Sequence, residues 1–124
     1  MPHRTWLTAI ILFAALALAP LAAVDITGKW TSSFDTQIGK QEYTYDFVVK
    51  DGKLTGHMKS NLGESDVLDG KVDGDKVTFG ELLKFEGMEV RITYTGTIVS
   101  ADEIKFTRNV ADFATEELVA KRVK

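Results

Sequence analysis

The stretch from residue 88 to residue 99, "MEVRITYTGTIV", has the clearest alternation of apolar and polar side chains in the sequence. One face carries Met88, Val90, Ile92, Tyr94 and Ile98, and the other carries Glu89, Arg91, Thr93, Thr95 and Thr97. A period of two is typical of a β-strand with one buried and one exposed face. The stretch therefore predicts a strand in the wall of an apolar core.

The same alternation continues on both sides of this stretch, and turn residues interrupt it at short intervals. Besides 88–99 it predicts strands at 28–37, 41–50, 53–60, 65–72, 76–85, 103–108 and 115–123. The last segment contains "ATEELVAKR", whose composition also favours a helix. A strand is the preferred interpretation there, because it can pair with the first strand and remove two exposed edges. The predicted fold class is all-β: an eight-stranded antiparallel up-and-down barrel without a substantial helix.

The first 23 residues have a different composition from the rest. A basic start at Arg4 precedes an apolar run, and Pro20 and small alanines follow. This layout is typical of a secretory signal peptide cleaved after Ala23. A retained anchor is the less favoured alternative, because the run is too short to span a bilayer comfortably. We expect a signal peptide at 1–23, a single barrel domain at 24–124, export to the periplasm or beyond the cell, and no membrane attachment after cleavage.

Composition and charge exclude several classes of function. The net charge of −3 becomes −4 once Arg4 is removed, and the scattered lysines form no basic patch for nucleic acid. The sequence contains no cysteine, and the one histidine beyond the leader, His57, falls on a polar face. We therefore expect no nucleic-acid partner, no metal site, no cofactor and no catalytic residue.

The turns divide into two groups with different composition. In an up-and-down barrel alternate turns lie at the same end, and "KDGK", "VDGDK" and "SADE" make one end short and polar. The turns of the other end, the open end, carry the apolar residues Ile38, Leu62, Phe85, Met88, Val110 and Phe113. A ring of apolar side chains predicts a ligand-binding mouth or a docking surface. A plug that folds inward and fills the barrel is an equally weighted alternative.

Strand parity also places a set of polar side chains inside the barrel: Tyr43, Tyr45, Tyr94, Glu81, Arg108 and Glu116. Buried charges need a partner or a ligand, so we expect an Arg108–carboxylate bridge near the open end. A β-bulge at Gly80, which would turn Glu81 outward, is the alternative. The tyrosines offer flat apolar faces with polar tips, which suit either a sugar ring or a packed core.

The first strand opens with "GKW", Gly28-Lys29-Trp30, and the last ends in "VAKRVK", which contains Arg122. This pairing resembles the Gly-x-Trp signature of the calycin superfamily, which includes the lipocalins, the fatty-acid-binding proteins and the avidins. The resemblance implies that Gly28, Trp30 and Arg122 form a structural closed end, with the basic side chain over the indole. The chain has no room for the C-terminal helix of lipocalins and lacks the further tryptophans of the avidin pocket, so biotin binding is not implied.

Several longer phrases, among them "GESDVLDGKVDGDKVTF" and "ITYTGTIVSADEIKFTR", are similar to short exported bacterial modules that occur alone or appended to hydrolases. That resemblance implies the fold and export but no activity. The leading hypothesis is a secreted, non-enzymatic barrel that binds a small molecule or glycan fragment through the six inward polar residues. An accessory module whose apolar rim docks on a partner protein or on itself is the second hypothesis. A hydrolase-associated enzyme using Glu81 and Glu116 is the weakest.

Overall fold

The structure, a computed structural model, describes residues 24–124, except the side chain of Phe85. The predicted signal peptide at 1–23 therefore lies outside the described residues, as does the place of the Phe85 side chain in the rim. Within residues 24–124 no helix is long and apolar enough to cross a membrane.

The strands of the described residues follow one another through short turns. In chain order they are β1 Gly28–Thr36, β2 Gly39–Lys50, β3 Lys53–Ser60, β4 Gly63–Asp66, β5 Leu68–Asp73, β6 Lys76–Phe85, β7 Met88–Ser100, β8 Glu103–Val110 and β9 Ala114–Arg122. All belong to one antiparallel sheet, which closes because β1 pairs with both β2 and β9 while β2 also pairs with β3. The predicted eight-stranded antiparallel barrel is confirmed, with its fourth strand in two parts.

The fourth strand is interrupted at Val67, so the prediction of one strand over 65–72 is wrong. β4 pairs with one half of β3, whereas β5 pairs with the other half and with β6. At the break the Val67 amide donates to the Gly56 carbonyl over 2.9 Å. Gly70 lies so close to Leu54 that a Cβ there would be 2.2 Å from the Leu54 carbonyl oxygen. This close approach requires glycine at position 70. In the pairing of β5 with β6, the register shifts between Leu68 and Lys71.

The segment with helix-favouring composition forms strand β9. It pairs with β8 over almost its whole length and with β1 at two positions, Trp30↔Arg122 and Thr31↔Lys121. Pairing on both sides satisfies its backbone and overrides the weak helix propensity of its residues. The ends of the other predicted strands differ from the structure by at most two residues.

At the closed end Trp30 is fully buried, and its Nε1 donates to the Ile26 carbonyl over 2.9 Å. The guanidinium carbon of Arg122 lies 4.6 Å from the centroid of the Trp30 ring. Arg122 donates to the carbonyls of Asp25, Thr27 and Ala101 over 2.8–2.9 Å. Its hydrogen bonds therefore join the last strand to the residues before β1 and to the β7–β8 turn, over the indole face.

Above Trp30 the interior is filled by aromatic rings. On β1 and β2, Phe34, Tyr43, Tyr45 and Phe47 follow one another with centroid separations of 5.8, 5.6 and 5.5 Å. Phe79 on β6 contacts Phe47 edge-on at 5.7 Å and stacks on Tyr94 at 4.3 Å. The middle of the barrel is therefore a packed layer, and in the part described by residues 24–124 a cavity lies toward the turns opposite Trp30.

Candidate functional site

At the open end of the barrel lies a cavity of about 250 Å³ that is open to solvent on one side. The β1–β2, β3–β4, β6–β7 and β8–β9 turns surround it, as the alternation of turns predicts. Nine of its fourteen lining residues are apolar, and they include Ile38, Leu62, Met88, Val110 and Phe113 of the predicted rim. We call this space the open-end cavity.

The rim residues do not all have the same position. Leu62 and Val110 are partly buried and pack against the core. Ile38, Met88 and Phe113 remain 56, 63 and 82% exposed. The interpretation of the rim as an inward-folded plug therefore fits the first two residues and not the other three.

Below the open-end cavity, Glu81 is fully buried in a network of hydroxyl groups. Its carboxylate accepts hydrogen bonds from Tyr94 over 2.9 Å, from Tyr43 over 3.1 and 3.2 Å, and from Ser65 over 2.6 Å. β6 pairs with β7 in unbroken register through Gly80, so the alternative of an outward Glu81 does not apply. Three hydroxyl donors satisfy this carboxyl group without a direct contact to a cation.

Arg108 connects the network to the cavity wall. Its Nε donates to the Tyr94 hydroxyl over 2.9 Å, and its Nη2 donates to the Tyr43 hydroxyl over 3.0 Å. Its Nη1 forms an ion pair with Glu116. The Arg108–carboxylate bridge is therefore made to Glu116, whereas Glu81 is joined to Arg108 through the two tyrosine hydroxyls.

The tyrosine hydroxyls keep their protons in this setting. Burial, followed by the nearby Glu81 carboxylate, raises the pKa of Tyr43 to about 12. Burial likewise raises the pKa of Tyr94 well above its ordinary value. Each hydroxyl therefore donates to Glu81 while its oxygen accepts from Arg108, so the network has a single direction from cation to carboxylate.

Only two of the six predicted ligand-binding residues, Arg108 and Glu116, line the open-end cavity. Tyr43, Tyr45, Tyr94 and Glu81 lie in the packed layer beneath it. The three tyrosines do not line this cavity, and each has a neighbouring ring stacked on it: Tyr43 on Phe34 and Tyr45, and Tyr94 on Phe79. The Tyr45 hydroxyl pairs with Ser32 over 2.7 Å and takes no part in the Glu81 network.

Gln41 lines the same cavity and was not among the predicted site residues. It is 2% exposed, and within residues 24–124 no hydrogen-bond partner is found for its Oε1 atom. The signal for it was present in the sequence, because Gln41 has the same parity as Tyr43 and Tyr45 on β2. Ser65, which donates to Glu81, was also missed, because the break at Val67 obscures the register of that strand.

The remaining candidates for chemistry are not brought together at the open-end cavity. Within residues 24–124 no group of three or more potential ligands is placed to hold a metal ion. Glu81 does not line the open-end cavity, so Glu81 and Glu116 do not face one reactant there. His57 lies on the outer surface, with Nδ1 3.0 Å from Asp66 Oδ1 and Nε2 2.6 Å from Glu64 Oε1.

Comparison with known proteins identifies the fold alone. No family model matches the sequence, and no curated protein matches it. Among solved structures, the redesigned β-barrel mFAP0 bound to DFHBI is similar, with a TM-score of 0.55 and 11% identity, covering 79% of this chain and 98% of that one. The redesigned β-barrel mFAP1 bound to DFHBI has a TM-score of 0.52 and 11% identity, covering 79% and 94% of the two chains. The chain therefore has the fold of a closed antiparallel β-barrel of the kind these redesigned proteins adopt.

Proposed function

We propose that this protein is an exported, non-enzymatic barrel that binds a small, mainly apolar molecule in the open-end cavity. The observation that carries the proposal is the cavity itself, about 250 Å³ in volume and mainly apolar in lining. An apolar cavity of about 150 Å³ holds benzene, and pockets for drug-sized molecules start at about 300 Å³. The ligand class is therefore a compound of one or two rings.

Two further points support this ligand class. The mainly apolar lining favours such a compound over a glycan fragment, which would need many more polar partners. The two redesigned barrels of similar fold are bound to a small molecule, DFHBI. Export rests on the signal-peptide pattern at residues 1–23.

The binding site is tested by filling the cavity from its wall. Leu83 is buried and lines the cavity, whereas its neighbour Leu82 is on the outer face of β6. We expect 2-naphthol to bind the wild type saturably in an NMR titration, Leu83→Trp to abolish that binding, and Leu82→Trp to preserve it. Leu83→Phe replaces Leu83→Trp if the larger side chain prevents folding. Equal binding by wild type and a folded Leu83 variant would place the ligand elsewhere and contradict the proposal.

A second candidate function is docking through the open end. The exposure of Ile38, Met88 and Phe113 around one opening favours it. Sedimentation of the wild type and of a Met88→Asp/Phe113→Asp variant tests self-association. A monomer in both cases at high concentration, together with the absence of a co-purifying partner, would remove the support for docking.

A further inference from the structure

Gln41 combines two properties that bear on the ligand. It lines the open-end cavity, and its Oε1 is the one buried side-chain nitrogen or oxygen atom of residues 24–124 found without a hydrogen-bond partner. Buried polar groups are almost always paired, and an exception calls for an explanation. We propose that Gln41 is the polar recognition residue of the open-end cavity, and that the ligand donates a hydrogen bond from an O–H or N–H group to Gln41 Oε1.

The position of Gln41 on β2 fits this role. It pairs with Phe34 of β1, and the next inward residue on its strand is Tyr43, which belongs to the packed layer. Gln41 therefore lies immediately above that layer, at the inner end of the cavity, where it can contact a bound ligand. A side chain needed only to fill this position would be apolar, as its inward neighbours largely are.

The two charged side chains of the cavity wall are already paired with each other. Arg108 donates from all three of its nitrogens, to Tyr94, Tyr43 and Glu116. Glu116 accepts from Arg108 in an ion pair. Among the acceptors of the cavity wall, Gln41 Oε1 is the buried one for which no partner is found within residues 24–124.

The charges of the site narrow the ligand class further. Arg108 is the one cationic residue among those lining the cavity, and it faces Glu116 directly and Glu81 through two hydroxyls. An acidic ligand would find no uncompensated positive charge and would bring a further carboxylate toward two others. The mainly apolar lining also makes burial of an unpaired cation costly, so the site fits a neutral donor, such as a phenol, a cyclic alcohol or a heterocycle with a ring N–H. This inference rests on the proposed function.

The test compares two ligands of nearly equal size that differ in donation. In calorimetric titrations of the full chain, 2-naphthol can donate a hydrogen bond and 2-fluoronaphthalene cannot. We expect the wild type to prefer 2-naphthol by about tenfold, the scale of one net hydrogen bond. Gln41→Leu should lose this preference while still binding both compounds. Gln37→Leu, a control at an exposed glutamine of the same cavity, should retain it.

Thermal unfolding of the ligand-free protein supplies a readout independent of the ligand. Gln41→Leu should raise the Tm because it removes an unpaired buried amide, whereas Gln37→Leu should leave it nearly unchanged. A lower Tm for Gln41→Leu would overturn the inference, because it would show that the amide has a structural partner. Equal affinity of the wild type for the two compounds would also overturn it while leaving the proposed function intact. Failure of both compounds to bind the wild type would overturn the proposed function.

Discussion

Arg108 is the central residue of the interior network, because it pairs with Glu116 directly and is connected to Glu81 through two tyrosine hydroxyls. Replacing it with methionine keeps most of its volume but leaves Glu116 without an ion pair. The change also removes the N–H groups that donate hydrogen bonds to the two buried tyrosine hydroxyls. Removing one partner of a buried pair costs about 3–5 kcal/mol, and we expect Arg108→Met to reduce the free energy of unfolding in urea by about 3 kcal/mol.

Arg91→Met is the matched control for this prediction. Arg91 lies on the exposed face of β7, 3.5 Å from Asp69, and both side chains are more than half exposed. An exposed ion pair of this kind is worth about 0–1 kcal/mol. If Arg108→Met reduced the free energy of unfolding as little as Arg91→Met does, the interior network would add little to stability.

Gly28 allows a second prediction about a single residue. Its φ is +137°, and a Cβ at this position would lie 3.0 Å from Arg122 Nη1. Gly39 also has a positive φ, +110°, but nothing lies within 4 Å of its Cβ position. Backbone strain costs about 1–3 kcal/mol at either residue. We expect Gly28→Ala to lower the Tm more than Gly39→Ala, because only the former also displaces Arg122 from Trp30.

The comparison of these two alanine variants separates the cost of backbone strain from the cost of the contact with Arg122. Equal losses of Tm would mean that the Arg122 side chain moves aside at little cost. A larger decrease in Tm for Gly39→Ala than for Gly28→Ala would contradict the prediction that the closed end requires glycine at position 28.

At the scale of strands, His57 joins β3 to β4 just before the break at Val67. Its hydrogen bonds to Asp66 and then to Glu64 raise the pKa of the imidazole above its ordinary 6.5. The protonated form is therefore favoured by folding. Its contribution to stability is fully present below pH 6.5 and is lost as the pH rises through the raised folded-state pKa.

We accordingly expect the Tm difference between the wild type and His57→Gln to be larger at pH 6 than at pH 8.5. The effect is small because all three side chains are exposed. An Asp66→Asn variant should show a pH dependence between those of the wild type and His57→Gln, because Glu64 still pairs with His57. A difference that is constant between pH 6 and 8.5 would show that protonated His57 does not stabilise the β3–β4 pairing.

The strands also show how much of the fold could be predicted from the sequence. Alternation along 88–99 predicts the barrel wall, and the same parity places Glu81 and Arg108 inside, because side chains alternate strictly in an unbroken strand. It could not predict the break at Val67, which depends on the approach of Gly70 to Leu54 from another strand.

Parity also gives the face of a residue but not its height along the barrel. That height depends on how neighbouring strands are staggered, a property of the closed sheet rather than of any one strand. This is why the tyrosines were expected at the site yet lie in the packed layer. For the same reason Gln41, with identical parity but one step nearer the turn, lies in the open-end cavity instead.

In the molecule as a whole, features that hold the barrel together and features that could meet a ligand occupy different levels. Trp30, Arg122 and the aromatic layer fill the closed end and the middle, and the cavity occupies the remaining end. Arg108 and Phe34 lie at the boundary, where the guanidinium carbon is 5.1 Å from the Phe34 ring centroid. Substitutions among the exposed rim residues should therefore change recognition with little cost to folding.

The hydrogen bonds of Arg122 to Asp25 and Thr27 have a practical consequence. They hold the two ends of the described chain side by side, at the pole of the barrel farthest from Ile38 and Phe113. A surface, a reporter or a second protein tethered at either end would thus be joined to the molecule at its sealed pole. The opposite opening would stay unobstructed and face outward, which is the orientation that an immobilised sensor requires.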